Sequence, residues 1–181
     1  MYLEHFGLRE RPFSILPDPG FLLLTRQHGH AATMLDYGLA SESMIGVLTG
    51  EVGSGKTTMV RRLLEQVPPA VTVGLVNAVP GDSVPLLRWI NAALGLPAED
   101  DAVRARSAFE GFVIAEYAAG RRVLLILDEA QNLGIERLEE LRLLTNLNAD
   151  KHLVLQMLLV GQPELRQRLA GVADGGAQRG A

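Results

Sequence analysis

A parallel β-sheet flanked by helices is the fold class this sequence predicts, and three stretches predict it. Gly50-Glu51-Val52-Gly53-Ser54-Gly55-Lys56-Thr57 fits G-x-x-x-x-G-K-[ST], with an apolar run Met44 to Thr49 before it and a helical pattern Lys56 to Val67 after it. Val123-Leu124-Leu125-Ile126-Leu127 is a continuous apolar run that ends in Asp128-Glu129. Such a run fits a strand buried on both faces, as in a parallel sheet with helices on either side. His152 to Val160 is a further apolar strand, leading into Gly161-Gln162-Pro163. In this order all three strands end on the edge where open α/β sheets bind ligands.

The totals fit one soluble domain. The chain has 181 residues, 48% hydrophobic and 21% charged, which suits a single packed core. The formal net charge of -4 argues against a nucleic-acid binder driven by bulk electrostatics. There is no cysteine, so disulfides and thiolate metal sites are excluded. No apolar run approaches the ~18 residues of a membrane span, and Met1 to Glu10 lacks a signal-peptide pattern. A cytoplasmic location without membrane insertion is the expectation.

Residues 1–25 are rich in proline and read as an extended arm, held to the body by Phe6, Phe13 and Phe21. Gln27 to Ser41 follows as a helix, with Ala31, Met34, Leu35, Gly38 and Leu39 on one packed face. His28 and His30 lie near its start. Two residues apart, they point to different sides and read as surface or packing groups rather than ligands. Met44 to Thr49 reads as a buried strand.

The P-loop comes next. Its glycines let backbone N–H groups turn inward on phosphates, and the helix that follows contributes roughly half a positive charge at its N-terminus. The residues predicted to hold a nucleotide are Gly50, Glu51, Val52, Gly53, Ser54, Gly55, Lys56, Thr57 and Thr58. Lys56 is placed to reach the β and γ phosphates and the Thr57 hydroxyl to ligate Mg²⁺. The chain has fifteen arginines and two lysines, so the compact ammonium stands at the motif position against the general preference.

Pro68-Pro69 breaks the helix, and Val71 to Val76 is β-branched enough for a second strand. Asp82 is a candidate N-cap for a helix with Pro85 in its first turn, Leu86, Leu87, Ile90 and Leu94 on its apolar face, and Gly95 closing it. Ala102 to Ala119 is another helix, stopped at Gly120. At the end of the strand Val123 to Leu127, Asp128 is a candidate Mg²⁺-orienting acid and Glu129 a candidate general base on the attacking water. Alternatively, Asp128 caps the next helix and Glu129 is solvated.

Ile135 to Asn148 reads as a helix with Leu138, Leu141 and Leu144 inward. Arg137 and Arg142 face either a neighbouring subunit or solvent. Gln162 leaves its strand on the P-loop edge, as a candidate sensor of the γ phosphate or as a cap for the helix begun by Pro163. Residues 26–170 therefore form the core, and residues 171–181, rich in glycine, are expected to be without fixed structure.

The stretches FGLRERPFSILPDP, HGHAATMLDYGL, GEVGSGKTT, LLILDEAQNL and LRLLTNLNADKHLVLQMLLVGQPEL together resemble the ExeA or GspA type secretion ATPases of the AAA superfamily, including relatives beside exosortase loci. The resemblance implies a bacterial P-loop ATPase that uses ATP and Mg²⁺, with parallel core strands in the order 5-1-4-3-2. It implies Lys56 and Thr57 as Walker A, Asp128 and Glu129 as Walker B, and Gln162 as the first sensor. It also implies a homo-oligomer in the full-length form and an inner-membrane secretion partner at the cytoplasmic face. Members continue past the position of Leu169 into a fifth strand and a helical lid that supplies an arginine finger. The expectation for this chain is a core that lacks both and turns over slowly alone. A transposition-type ATPase and a non-hydrolysing nucleotide-binding remnant are the competing readings.

Overall fold

A computed structural model describes residues 2–8, 25–41, 45–77, 84–149 and 152–178. Asp82, Phe13 and Phe21 lie outside these, as does most of the predicted arm. Four parallel strands form the sheet: β1 (Ile45–Thr49), β2 (Val71–Asn77), β3 (Arg122–Asp128) and β6 (Leu155–Gly161). Their spatial order is β1-β6-β3-β2. Leu125 pairs in register with Gly74 on one side and Met157 on the other, so β3 is central. Two short strands, β4 (Asn148–Ala149) and β5 (His152–Leu153), pair antiparallel ahead of β6.

Strand alternation divides the core. Leu125, Leu127, Met157 and Leu159 point to one face, where they meet Leu86 and Ile90 of α4 (Leu86–Ala93), Phe109 and Val113 of α5 (Ala102–Ala118), Leu138 and Leu141 of α6 (Ile135–Leu144) and Leu165 of α7 (Glu164–Gln178). Leu124, Ile126, Leu158 and Val160 point the other way, onto Val60 and Leu63 of α3 (Lys56–Gln66) and Leu35 and Leu39 of α2 (Arg26–Ala40). Each such buried side chain contributes about 1.5–3 kcal/mol. The result is a three-layer sandwich in which β3 is apolar from Val123 to Leu127 because both faces are covered. Gly74 admits Leu94 from α4's end to the sheet: a Cβ there would lie 2.8 Å from Leu94 Cδ2 and 2.9 Å from Leu125 Cδ2.

Several local expectations are corrected. β1 is not buried: Ile45 is 41% and Val47 45% exposed, because β1 stands at the sheet edge. The N-terminus is not extended at residues 2–5, which form a helical turn, α1 (Tyr2–His5). Phe6 does not anchor it to the body, since it is 63% exposed and stacks edge-on against Tyr2 and His5. Met34 is exposed, and Ala32 is the fully buried residue of α2. The helix expected to reach Asn148 ends at Leu144, where the Thr145 hydroxyl donates to the Arg142 carbonyl 2.7 Å away and the chain turns into the β4–β5 hairpin. α7 runs to Gln178, through most of the tail expected to lack structure, since no proline follows Pro163 to stop it.

Candidate functional site

The carboxyl ends of β1, β3 and β6 bring most of the predicted residues to one place. Gly53 and Gly55 adopt φ of +77° and +84°, conformations that a side chain disfavours, and they turn the loop back over the start of α3. Gly55 is the N-cap of α3, so the first N–H groups of that helix open onto the loop. Lys56 Nζ donates to the Gly50 carbonyl at 2.7 Å and to the Glu51 carbonyl at 3.0 Å. The loop is thereby held in a ring around its own ammonium. Val52, Gly53, Ser54, Gly55, Lys56, Thr57 and Thr58 line a cleft of about 300 Å³ together with Glu129 and Gln162. Gly50, Glu51 and Asp128 are not among the lining residues; the first two meet the site through the carbonyls that hold Lys56.

Asp128 ends β3 and is half-buried; its Oδ1 accepts the Glu129 N–H at 2.9 Å. Burial raises its carboxyl above the ordinary value, that backbone N–H opposes the rise, and the neighbouring Glu129 adds to it. Lys56 acts on Asp128 in the opposite direction, which places the ammonium and the carboxylate within each other's field. Glu129 has φ +55° and ψ +34°, the one non-glycine residue with positive φ among those described. Strain of this kind gathers at functional sites.

Two contacts at the site were not anticipated from sequence. Gln131 is buried; its Nε2 donates to Glu129 Oε2 at 2.6 Å and its Oε1 accepts the Gln162 N–H at 3.0 Å. His28, expected to be a surface or packing group, shares a hydrogen bond of 2.9 Å between Nε2 and the Ser54 carbonyl, while Nδ1 lies 2.9 Å from the Thr25 hydroxyl. A carbonyl only accepts, so Nε2 carries a proton and, in the neutral ring, Thr25 donates to Nδ1. The signal for Gln131 was its place in Asp-Glu-Ala-Gln; for His28 no sequence signal pointed to the loop.

Arg137 and Arg142 each make a contact within the chain. One Arg137 nitrogen donates to the Val84 carbonyl at 2.9 Å, tying α6 to the approach of α4, and Arg142 pairs with Glu139 at 2.7 Å on the exposed face.

Thr57 and Asp128 together offer a hydroxyl and a carboxylate beside the cleft, oxygen donors of the kind Mg²⁺ takes. Among the described residues there is no cluster of three or more His, Cys, Asp or Glu that would form an all-protein metal cage. The donor set therefore fits an ion completed by phosphate oxygens and water rather than one resident in the protein.

A parallel sheet with a P-loop on its edge strand, an acid pair at the end of its central strand and a polar residue after the strand between them defines the P-loop NTPase fold. The AAA domain family model matches residues 39–169, and the chain belongs to that family. It is 42% identical over 172 residues to the general secretion pathway protein A of Aeromonas hydrophila, a match covering 93% of this chain and 31% of that protein. The chain thus spans about a third of that relative's length. Solved structures share the fold. The ORC2 protein of Aeropyrum pernix, in ADPNP-ADP complexes, superposes with a TM-score of 0.57 at 24% identity, over 83% of this chain and 46% of that one. Cdc6p of Pyrobaculum aerophilum superposes at 0.55 with 18% identity, over 84% of this chain and 46% of that one. Among the described residues no helix is long and apolar enough to cross a membrane.

Proposed function

We infer that this chain binds ATP with Mg²⁺ and hydrolyses it, as the motor or regulatory module of a bacterial secretion or cell-envelope assembly system. One observation carries the reading: a single cleft is lined by the whole turn from Val52 to Thr58, by Glu129 and by Gln162, and Asp128 accepts the backbone N–H of Glu129. The likeness to general secretion pathway protein A supports the choice of system.

In this reading the P-loop N–H groups and Lys56 take the phosphate charge, and Lys56 exchanges the Gly50 and Glu51 carbonyls for phosphate oxygens. Thr57 and Asp128 would hold Mg²⁺, which supplies neutralisation of charge on the phosphates. Glu129, which lines the cleft, accepts a proton from the attacking water. Gln162, which lines the same cleft, senses the terminal phosphate. The core comprises residues 26–170, assembled as a homo-oligomer in the complete protein beside an inner-membrane partner on the cytoplasmic face.

Fluorescent-nucleotide titration and phosphate release test this. Lys56→Ala abolishes Mg²⁺-dependent ATP binding, whereas Glu129→Gln binds ATP and loses turnover by a factor of about 10² or more. Unchanged hydrolysis by Glu129→Gln would sink the base assignment. A rate stimulated by DNA would favour the transposition-type reading instead.

A further inference from the structure

The Gly161–Gln162 peptide is held from both sides. Its carbonyl accepts the N–H of Gly50, the first residue of the P-loop, at 3.2 Å. Its N–H donates to Gln131 Oε1 at 3.0 Å, and Gln131 Nε2 donates in turn to Glu129 Oε2 at 2.6 Å. A peptide unit is rigid and, when trans, points its C=O and N–H in opposite directions. No cis peptide occurs among the described residues. The P-loop therefore lies at one edge of this plane and the Gln131 amide at the opposite edge. A rotation that follows Gly50 must also move Gln131.

The Gln131 amide has one orientation that satisfies both neighbours. The Gln162 N–H can only donate and the Glu129 carboxylate can only accept, so Oε1 must face the first and Nε2 the second. Gly161 leaves the space for it: a Cβ there would lie 2.6 Å from Gln131 Oε1 and 3.2 Å from the Gln131 backbone nitrogen. The absent side chain at 161 and the amide at 131 are complementary features of one device.

We propose that Gln131 is a positioning residue that links the P-loop to Glu129 through the Gly161–Gln162 peptide, aiming the carboxylate according to the state of the loop. The proposal rests on Glu129 being the base. It gives the Gly-Gln-Pro and Asp-Glu-Ala-Gln segments, remote in sequence, a joint task.

The test uses the full chain, with three readouts: ATP turnover, affinity for a fluorescent ATP analogue, and hydrogen exchange of the Gln162 amide measured by NMR. Gln131→Ala is expected to slow turnover about 10- to 100-fold, as a misplaced catalytic group does, to leave affinity within about twofold, and to speed exchange at Gln162. Gln131→Glu separates the two links: it can still accept the Gln162 N–H and keeps that amide protected, but it repels Glu129 and slows turnover. Gly161→Ala mimics Gln131→Ala, and the double variant is no slower than Gln131→Ala alone.

Two results overturn the proposal and leave the base assignment standing: full turnover in Gln131→Ala where Glu129→Gln has none, or strictly multiplicative losses in the double variant. A Gln131→Ala protein that loses affinity and melting temperature along with turnover also overturns it, since the role is then structural. Retained turnover in Glu129→Gln removes the base reading, and the proposal with it. An unchanged Gln162 exchange rate in Gln131→Ala refutes the link whatever the turnover.

Discussion

Replacing Glu116 by Gln removes a charge from the edge of the sheet opposite the nucleotide cleft, where α5 is clasped to β2 and to the start of β3. Glu116 is buried, accepts from Arg121 Nε at 2.8 Å and from its terminal nitrogen at 2.6 Å, and also accepts the Thr72 hydroxyl. The Arg121 hydrogen bonds first, and then the Thr72 hydroxyl, hold its carboxyl well below the ordinary 4.5, at about 2, against the opposing effect of burial. A depression of that size corresponds to about 3 kcal/mol at ~1.4 kcal/mol per tenfold change in proton affinity. The Arg121 side chain is 43% exposed, so solvent screening reduces this to about 1–2 kcal/mol. Because the folded-state value is depressed, the stabilisation is complete above the unfolded value near 4.5 and is lost as pH falls towards about 2. Glu116→Gln keeps the shape and an acceptor for Thr72 but loses the pairing with Arg121.

Urea unfolding of both proteins across this range is the assay. At neutral pH the variant is less stable by about 1–2 kcal/mol, or about 2–8 °C in melting temperature for a chain of this size. The gap narrows as the pH is lowered through the window and closes at its acid end. A deficit that stays constant with pH would refute the reasoning and assign the loss to packing. Nucleotide affinity stays unchanged in the variant.

Gly74→Ala is expected to cost about 1–3 kcal/mol by overpacking Leu94 and Leu125; unfolding of the Gly74→Ala, Leu94→Ala pair checks it, since the second change returns part of the loss at that contact. Asp128→Asn removes a carboxylate whose charge burial opposes, so the protein without nucleotide gains melting temperature while the Mg²⁺ dependence of ATP affinity disappears, as calorimetry and a Mg²⁺ titration would show. His28→Ala frees the Ser54 carbonyl and weakens nucleotide binding up to about 10-fold, the worth of one hydrogen bond. His28→Gln, whose Nε2 reaches a similar point, retains most of the affinity in the same titration.

The central strand and the loop were legible because local and global preferences coincide there. Val123 to Leu127 is apolar at every position since helices cover both faces, and the P-loop repeats a backbone requirement that any phosphate cradle imposes. β1 was misread as buried because Ile45 and Val47 carry the same composition in an edge strand as in a central one. Helix ends were lost where nothing marked them. Ile135 onward keeps its apolar spacing through Leu147, yet the chain leaves the helix at Leu144, and the hairpin that follows has strands too short to show alternation. The tail's glycines suggested disorder, while the alanines and glutamine between them are compatible with continuing α7. Gln131 and His28 were not legible as partners of Gln162 and Ser54, for those pairings depend on how distant segments are brought together.

Glu129's left-handed backbone has a bearing on protein engineering. The conformation costs a non-glycine residue on the order of 1 kcal/mol, and asparagine bears it better than glutamate. A library screened for heat resistance alone would therefore enrich Asn at position 129, giving a hardier protein with its proposed proton acceptor removed. Screening for retained phosphate release alongside heat resistance would keep glutamate there, and the backbone cost would have to be offset by substitutions elsewhere in the fold.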